Sequence, residues 1–89
     1  MKMTDSEIVE IINTALAREL ELDMSLLTPE ASLFDDLELD SLDLVDMVIV
    51  LEQAFNFKIR EEEEVRNIRT LGDIHKFVIR KKHLLDGNA

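Results

Sequence analysis

Residues Phe34–Phe55, "FDDLELDSLDLVDMVIVLEQAF", set one serine, Ser41, in a field of aspartates and leucines, with no histidine, cysteine or glycine in the stretch. Beyond that serine, Leu44, Val45, Val48, Leu51 and Phe55 recur at the 3.6-residue spacing of a helix. Asp40 or Ser41 is placed to cap it, and Asp43 puts negative charge in its first turn, where the macrodipole favours it. Leu42, Ile49 and Val50 make the helix apolar beyond a single stripe. Such a helix either lies centrally in a bundle or offers a face to another molecule.

Upstream, Thr4-Asp5-Ser6-Glu7 has the form of a capping box, and Ile8, Ile11, Ile12, Ala15, Leu16 and Leu20 follow at helical spacing. A first helix is predicted from about Thr4 to Leu20, with Glu10, Asn13, Thr14 and Arg18 on its outer face. The connection Glu21–Asp40 contains the one proline, Pro29, and five apolar anchors expected in the core: Leu26, Leu27, Leu33, Phe34 and Leu37. Downstream, Glu61–Arg66 reads as a short helix with Val65 and Ile68 turned inward. Thr70 starts the last helix, with Leu71, Ile74, Phe77, Val78, Leu84 and Leu85 on its apolar side and Arg80, Lys81 and Lys82 near its negative pole. There are no β-alternating runs and no repeats. The fold class is all-α: a small four-helix bundle of three longer helices and one short one. Residues 1–89 read as a single domain, with 86–89 a frayed tail.

The totals limit function. A chain of 89 residues buries about 60–65% of its unfolded surface, so the core is small. Cysteine is absent, which removes disulfides and thiolate metal sites and suits a reducing, cytoplasmic setting. No apolar run approaches the roughly 20 residues that span a bilayer, and "MKMTDSEIVEI" lacks a signal-peptide pattern. The net charge of −10 argues against nucleic acid and against anionic membrane surfaces. From Glu19 to Phe57 there are eleven acids and no Lys or Arg. The partners expected are proteins with basic patches, met by a monomer.

Four roles suit the serine. A hydrolytic nucleophile needs a base and an oxyanion hole; there is no G-x-S-x-G elbow, and the two histidines, His75 and His83, read as surface side chains of the last helix. No catalytic residue is assigned. A calcium loop begins well with Asp36, Glu38 and Asp40, but Ser41 and Met47 stand where an EF-hand needs Gly and Glu, so no metal site is assigned. Plain helix capping needs no further function. A covalent attachment point is the fourth: a helix N-terminus tolerates a phosphodiester, and an exposed hydroxyl there can be modified without opening the core.

Phe34–Phe55 resembles the acyl carrier proteins, whose signature is Asp-Ser-Leu followed by an acid at the start of the second helix. The likeness extends from about Ser32 through Phe77, and the first helix and the spacing to "IRTLGDIHKFV" also fit. It implies that Ser41 carries 4′-phosphopantetheine, installed from coenzyme A by a phosphopantetheinyl transferase, with acyl groups riding on the terminal thiol as thioesters. The chain would then be no enzyme itself. It would serve acyl synthases and transferases of fatty acid, polyketide or related biosynthesis. The resemblance also implies a partner-facing surface of Asp40, Leu42, Asp43, Val45, Asp46, Ile49 and Glu52. Some positions depart from the family pattern. Glu38 stands where many members have Gly, Leu44 and Val50 are bulkier than usual, and Arg60 with the acids after it replaces a common Ile-Pro-Asp. The alternative reading is a non-covalent acidic helical adaptor for basic partner proteins.

Overall fold

The computed structural model describes residues 3–59 and 67–85. They form three α-helices of equal length, α1 (Asp5–Glu19), α2 (Ser41–Phe55) and α3 (Leu71–Leu85), with a 3-10 turn at Met24–Leu26. The described residues contain no strand, so the fold is all-helical as expected. The short helix predicted over Glu61–Arg66 and the tail at 86–89 lie outside the described residues.

Each helix starts where its first-turn N–H groups find acceptors. At α1, Glu7 N–H donates to Thr4 Oγ1 (3.1 Å), and Thr4 N–H donates to Glu7 Oε1 (2.8 Å). At α3, Asp73 N–H donates to Thr70 Oγ1 (3.2 Å). Asp73 Oδ2 in turn accepts from Arg69 N–H (3.0 Å) and Thr70 N–H (3.1 Å). These backbone donors hold the Asp73 carboxyl below the usual carboxylate range. The ends are equally local. After α1, Glu21 turns left-handed (φ 55°) and Leu22 N–H reaches back to Ala17 O; after α2, Asn56 does the same (φ 57°) and Phe57 N–H reaches Glu52 O.

The core is built by Ile8, Ile12 and Leu16 of α1, Met47, Val48, Leu51 and Phe55 of α2, and Leu71, Ile74, Phe77 and Val78 of α3. Ile68, expected to face inward, is buried. Val45, expected on the partner-facing surface, is exposed, and Met47 takes a core position, because the buried arc of α2 runs through 47, 48, 51 and 55. The expected placing of five other residues is corrected. Leu26 and Phe34 are exposed, while Ala31 and Leu39 are buried in the connection instead. Leu84 is exposed at the last turn of α3. Asn13, placed on the outer face of α1, is half-buried. His75, read as a surface side chain, is buried and bonded to Asn13 of α1.

The long connection is fastened to the start of α3. Leu33 N–H donates to Arg69 O and Leu71 N–H donates to Ala31 O, both at 3.0 Å, around an isolated antiparallel bridge between Ser32 and Thr70. Gly72 N–H donates to Pro29 O at 2.9 Å. The two backbones come so close here that a Cβ on residue 72 would lie 2.9 Å from that carbonyl oxygen. No strand pairing is expected from the sequence; what forms is one bridge, too short to be a strand.

Candidate functional site

The segment leading to Ser41 is folded on itself before it reaches the helix. Ser32 N–H donates to Asp36 Oδ2 (2.7 Å) and Asp35 N–H donates to Ser32 Oγ (3.2 Å). Asp36 and Leu37 N–H both donate to Ser32 O, and Leu39 N–H donates to Leu33 O. Leu37 and Leu39 are buried on either side of exposed Glu38, which is left-handed at φ 55°. That conformation places two leucines inward with one residue between them. It is also the conformation glycine adopts without steric cost, so Glu38 holds a backbone strain that a glycine there would not.

Asp40, not Ser41, is the N-cap of α2. Its Oδ1 accepts from Asp43 N–H (2.9 Å), and Asp43 Oδ2 accepts from Asp40 N–H (3.1 Å). The two aspartates make a reciprocal capping box, so the acids flanking the serine are in part structural. Ser41 is thereby the first helical residue, with its side chain exposed. The N–H groups of Ser41 and Leu42 belong to the first turn, where no intrahelical acceptor exists, and they lie at the positive end of the helix dipole. An exposed hydroxyl beside such donors fits a phosphodiester. Neither histidine is its base, since both are engaged on α1: His75 with Asn13 and His83 with Asp5.

The residues around Ser41 divide by exposure. Leu42 (76% exposed) and Val45 (53%) are large apolar side chains held in water, beside exposed Asp40 and Asp46. Phe34, which the sequence reading put in the core, adds an exposed ring in the segment before the serine; its place between Leu33 and Asp35-Asp36 was the available signal. Asp43 and Ile49 are half-buried. Glu52 departs from the expected partner-facing surface. It is only 8% exposed, and its Oε2 accepts from Ile59 N–H at 2.8 Å. The chain reverses after α2, which leaves the Ile59 amide in the interior, and Glu52 folds back to satisfy it.

A family profile described as "Phosphopantetheine attachment site" matches residues 10–78. The chain is 40% identical to the acyl carrier protein 2 of Ralstonia nicotianae over 72 residues, covering 81% of this chain and 88% of that one. It is 42% identical to the acyl carrier protein of Syntrophobacter fumaroxidans over 76 residues, 85% of this chain and 88% of that one. To the acyl carrier protein of Thermosynechococcus vestitus it is 37% identical over 79 residues, 89% of this chain and 96% of that one.

Proposed function

The chain belongs to the acyl carrier protein family, and we propose that it holds its covalent 4′-phosphopantetheine on Ser41 and presents it to partner enzymes from the start of α2. As a member it is a carrier rather than an enzyme, and the prosthetic group supplies the thiol to which acyl cargo is esterified. The observation that carries the assignment to Ser41 is its position. It is the exposed first residue of α2, enclosed by the Asp40–Asp43 box that fixes the helix start.

Loading at Ser41 is a balanced transfer. The serine oxygen attacks the β-phosphorus of coenzyme A, a P–O bond to phosphorus forms, and the pyrophosphate bond breaks. Adenosine 3′,5′-bisphosphate leaves, and the hydroxyl proton passes to a base. Both histidines of this chain are engaged on α1, and the base is assigned to the transferase. The chain contributes an oxygen held clear of the core and a first turn whose N–H groups favour the phosphate.

Synthases and transferases are the partners of this family. For this chain the docking surface proposed is Leu42, Val45, Asp46 and Asp40, with the outer edges of Asp43 and Ile49; Glu52 is left out because it points inward. Exposed leucine and valine give contact area, and the acids steer basic partners. A cytoplasmic setting suits a chain without cysteine, and no helix among the described residues is long and apolar enough to cross a membrane.

Intact mass after incubation with a phosphopantetheinyl transferase and coenzyme A tests the assignment. Wild type should gain one phosphopantetheine and Ser41→Ala none. Equal gain by both, or none by wild type, would overturn it.

A further inference from the structure

Helices α1 and α3 run antiparallel, and two side-chain pairs join them, each using one of the chain's two histidines. Asp5 Oδ1 meets His83 Nε2 at 3.1 Å, and Asn13 Oδ1 meets His75 Nε2 at 2.9 Å. On each helix the paired positions are eight residues apart, which is about 12 Å at 1.5 Å per residue. The seam therefore has two rungs in one register.

The rungs sit in different surroundings. Asp5 and His83 are both exposed. His75 is 6% exposed, next to fully buried Ile74 and one turn from Val78, and Asn13 follows fully buried Ile12. With the Asn13 oxygen facing it, Nε2 carries the ring proton and donates. The other ring nitrogen, Nδ1, has no protein partner among the described residues.

We propose that the His75–Asn13 contact is an acid-sensitive latch on the α1–α3 seam, closed while the imidazole is neutral and loosened when it takes a second proton. Protonation places a positive charge on a buried ring faced by one neutral amide oxygen, and no side chain of the described residues accepts the added N–H. No charged side chain of the described residues offsets it. On α1, Asp5 and Glu10 are exposed in the shallow groove that Asn13 borders, and Arg18 is exposed further along. At the 3-10 turn, Asp23 is taken up by Ser25, and Glu30 is exposed on the connection. On α3, Asp73 is bonded to the backbone of Arg69 and Thr70, and Lys76 is exposed. Burial is the one cause that pushes the His75 pKa, and it pushes it below the ordinary value of 6.5. The unfolded chain then binds the proton more readily than the folded one. The latch is whole above that value and is lost as pH falls beneath it.

The test is a melting series from about pH 8 to about pH 5 in a His83→Gln background, which takes the imidazole out of the exposed rung. The full chain is compared with its His75→Gln counterpart, so that the titration of the many carboxylates cancels. The difference in melting temperature should narrow as pH falls below about 6.5. Adding Asn13→Asp puts a carboxylate opposite the ring and should reverse the trend, the histidine chain gaining on its glutamine counterpart as pH falls. Imidazole NMR of the unaltered chain should find His75 still neutral, as the Nε2–H tautomer, below about pH 6.5. A difference that stays constant with pH, or a His75 that titrates at or above that value, would overturn the latch. Should His75→Gln fail to fold, the NMR titration of the unaltered chain still decides it.

Discussion

Gly72→Ala sets two opposed effects against each other at the point where the connection to Ser41 is anchored. Intrinsic helix propensity favours alanine over glycine by about 1 kcal/mol, and less than that in a first turn. Against it stands the geometry: the new Cβ would lie 2.9 Å from Pro29 O and 3.3 Å from Pro29 Cβ. The nearer atom is backbone, held by the Gly72 N–H at 2.9 Å, so relief requires the connection to move off α3. Overpacking costs about 1–3 kcal/mol, and weakening the hydrogen bond adds about 0.5–1.5 kcal/mol. Close approach therefore outweighs propensity, with a net loss of about 1–3 kcal/mol. For a domain of this size, each kcal/mol lowers the melting temperature by roughly 4–8 °C. Far-UV circular dichroism melts measure that loss, and amide exchange locates it: Leu71 and Leu33 N–H, which bond across the same junction, should exchange faster. A Gly72→Ala chain that melts at or above wild type would refute the close-packed junction and leave propensity as the governing effect.

Two other substitutions probe the approach to the site and the surface beside it. Glu38→Gly should stabilise the fold by about 0.5–1 kcal/mol, since relief of a left-handed non-glycine residue (roughly 1–2 kcal/mol) exceeds the entropy glycine adds to the unfolded chain. Glu38→Gln is the control, because it removes the charge and keeps the Cβ; an equal rise in melting temperature for both would show that charge, not backbone, was responsible. Glu52→Ala should cost about 1–3 kcal/mol by stranding the Ile59 N–H, and Glu52→Gln less, since it retains an acceptor oxygen. Urea denaturation of the pair against Gln53→Ala, an exposed neighbour, measures this, and equal midpoints for all three would mean that Glu52 is a surface residue after all.

Where a single local rule governs, the sequence was legible. The Thr4–Glu7 box, the reciprocal Thr70–Asp73 caps and the helix start at Asp40-Ser41 all follow from short-range hydrogen bonding, and each lies where the pattern put it. The residues around Ser41 left four roles open, plain capping among them, and the resemblance of its Asp-Ser-Leu stretch to the acyl carrier signature is what singled it out. What could not be read was the rotation of α2 about its axis. Leu44, Val45, Met47, Val48, Ile49, Val50 and Leu51 allow several buried arcs, and contacts with the other elements select the one through Met47. Glu52 and His75 failed for a related reason. A charged or titratable side chain is assigned to the surface by type, yet each is drawn inward by a partner outside its own helix, the Ile59 amide and Asn13. Leu26 and Phe34 failed conversely: apolar type alone does not settle burial in a connection whose path is set by its stitching to α3.

The acids around Ser41 have a physical cost that bears on the proposed attachment. A phosphodiester there is itself anionic and joins Asp40, Asp43 and Asp46 on one helix end. Two exposed like charges even 4 Å apart repel by only about 1 kcal/mol in water, and salt lowers that further. The first-turn N–H groups and the helix dipole oppose it by a similar amount, about 0.3–1 kcal/mol. The local balance is thus near zero, and attachment is not prevented by its surroundings. At longer range the acids act together: eleven of one sign between Glu19 and Phe57, with no Lys or Arg among them, build a field that a basic partner meets before contact. Two of these acids also hold the helix start that sets the direction of Ser41, so the capping box cannot be neutralised without disturbing the serine's position. Steering and positioning are therefore coupled through Asp40 and Asp43, whereas Asp46, exposed and outside the box, bears on steering alone.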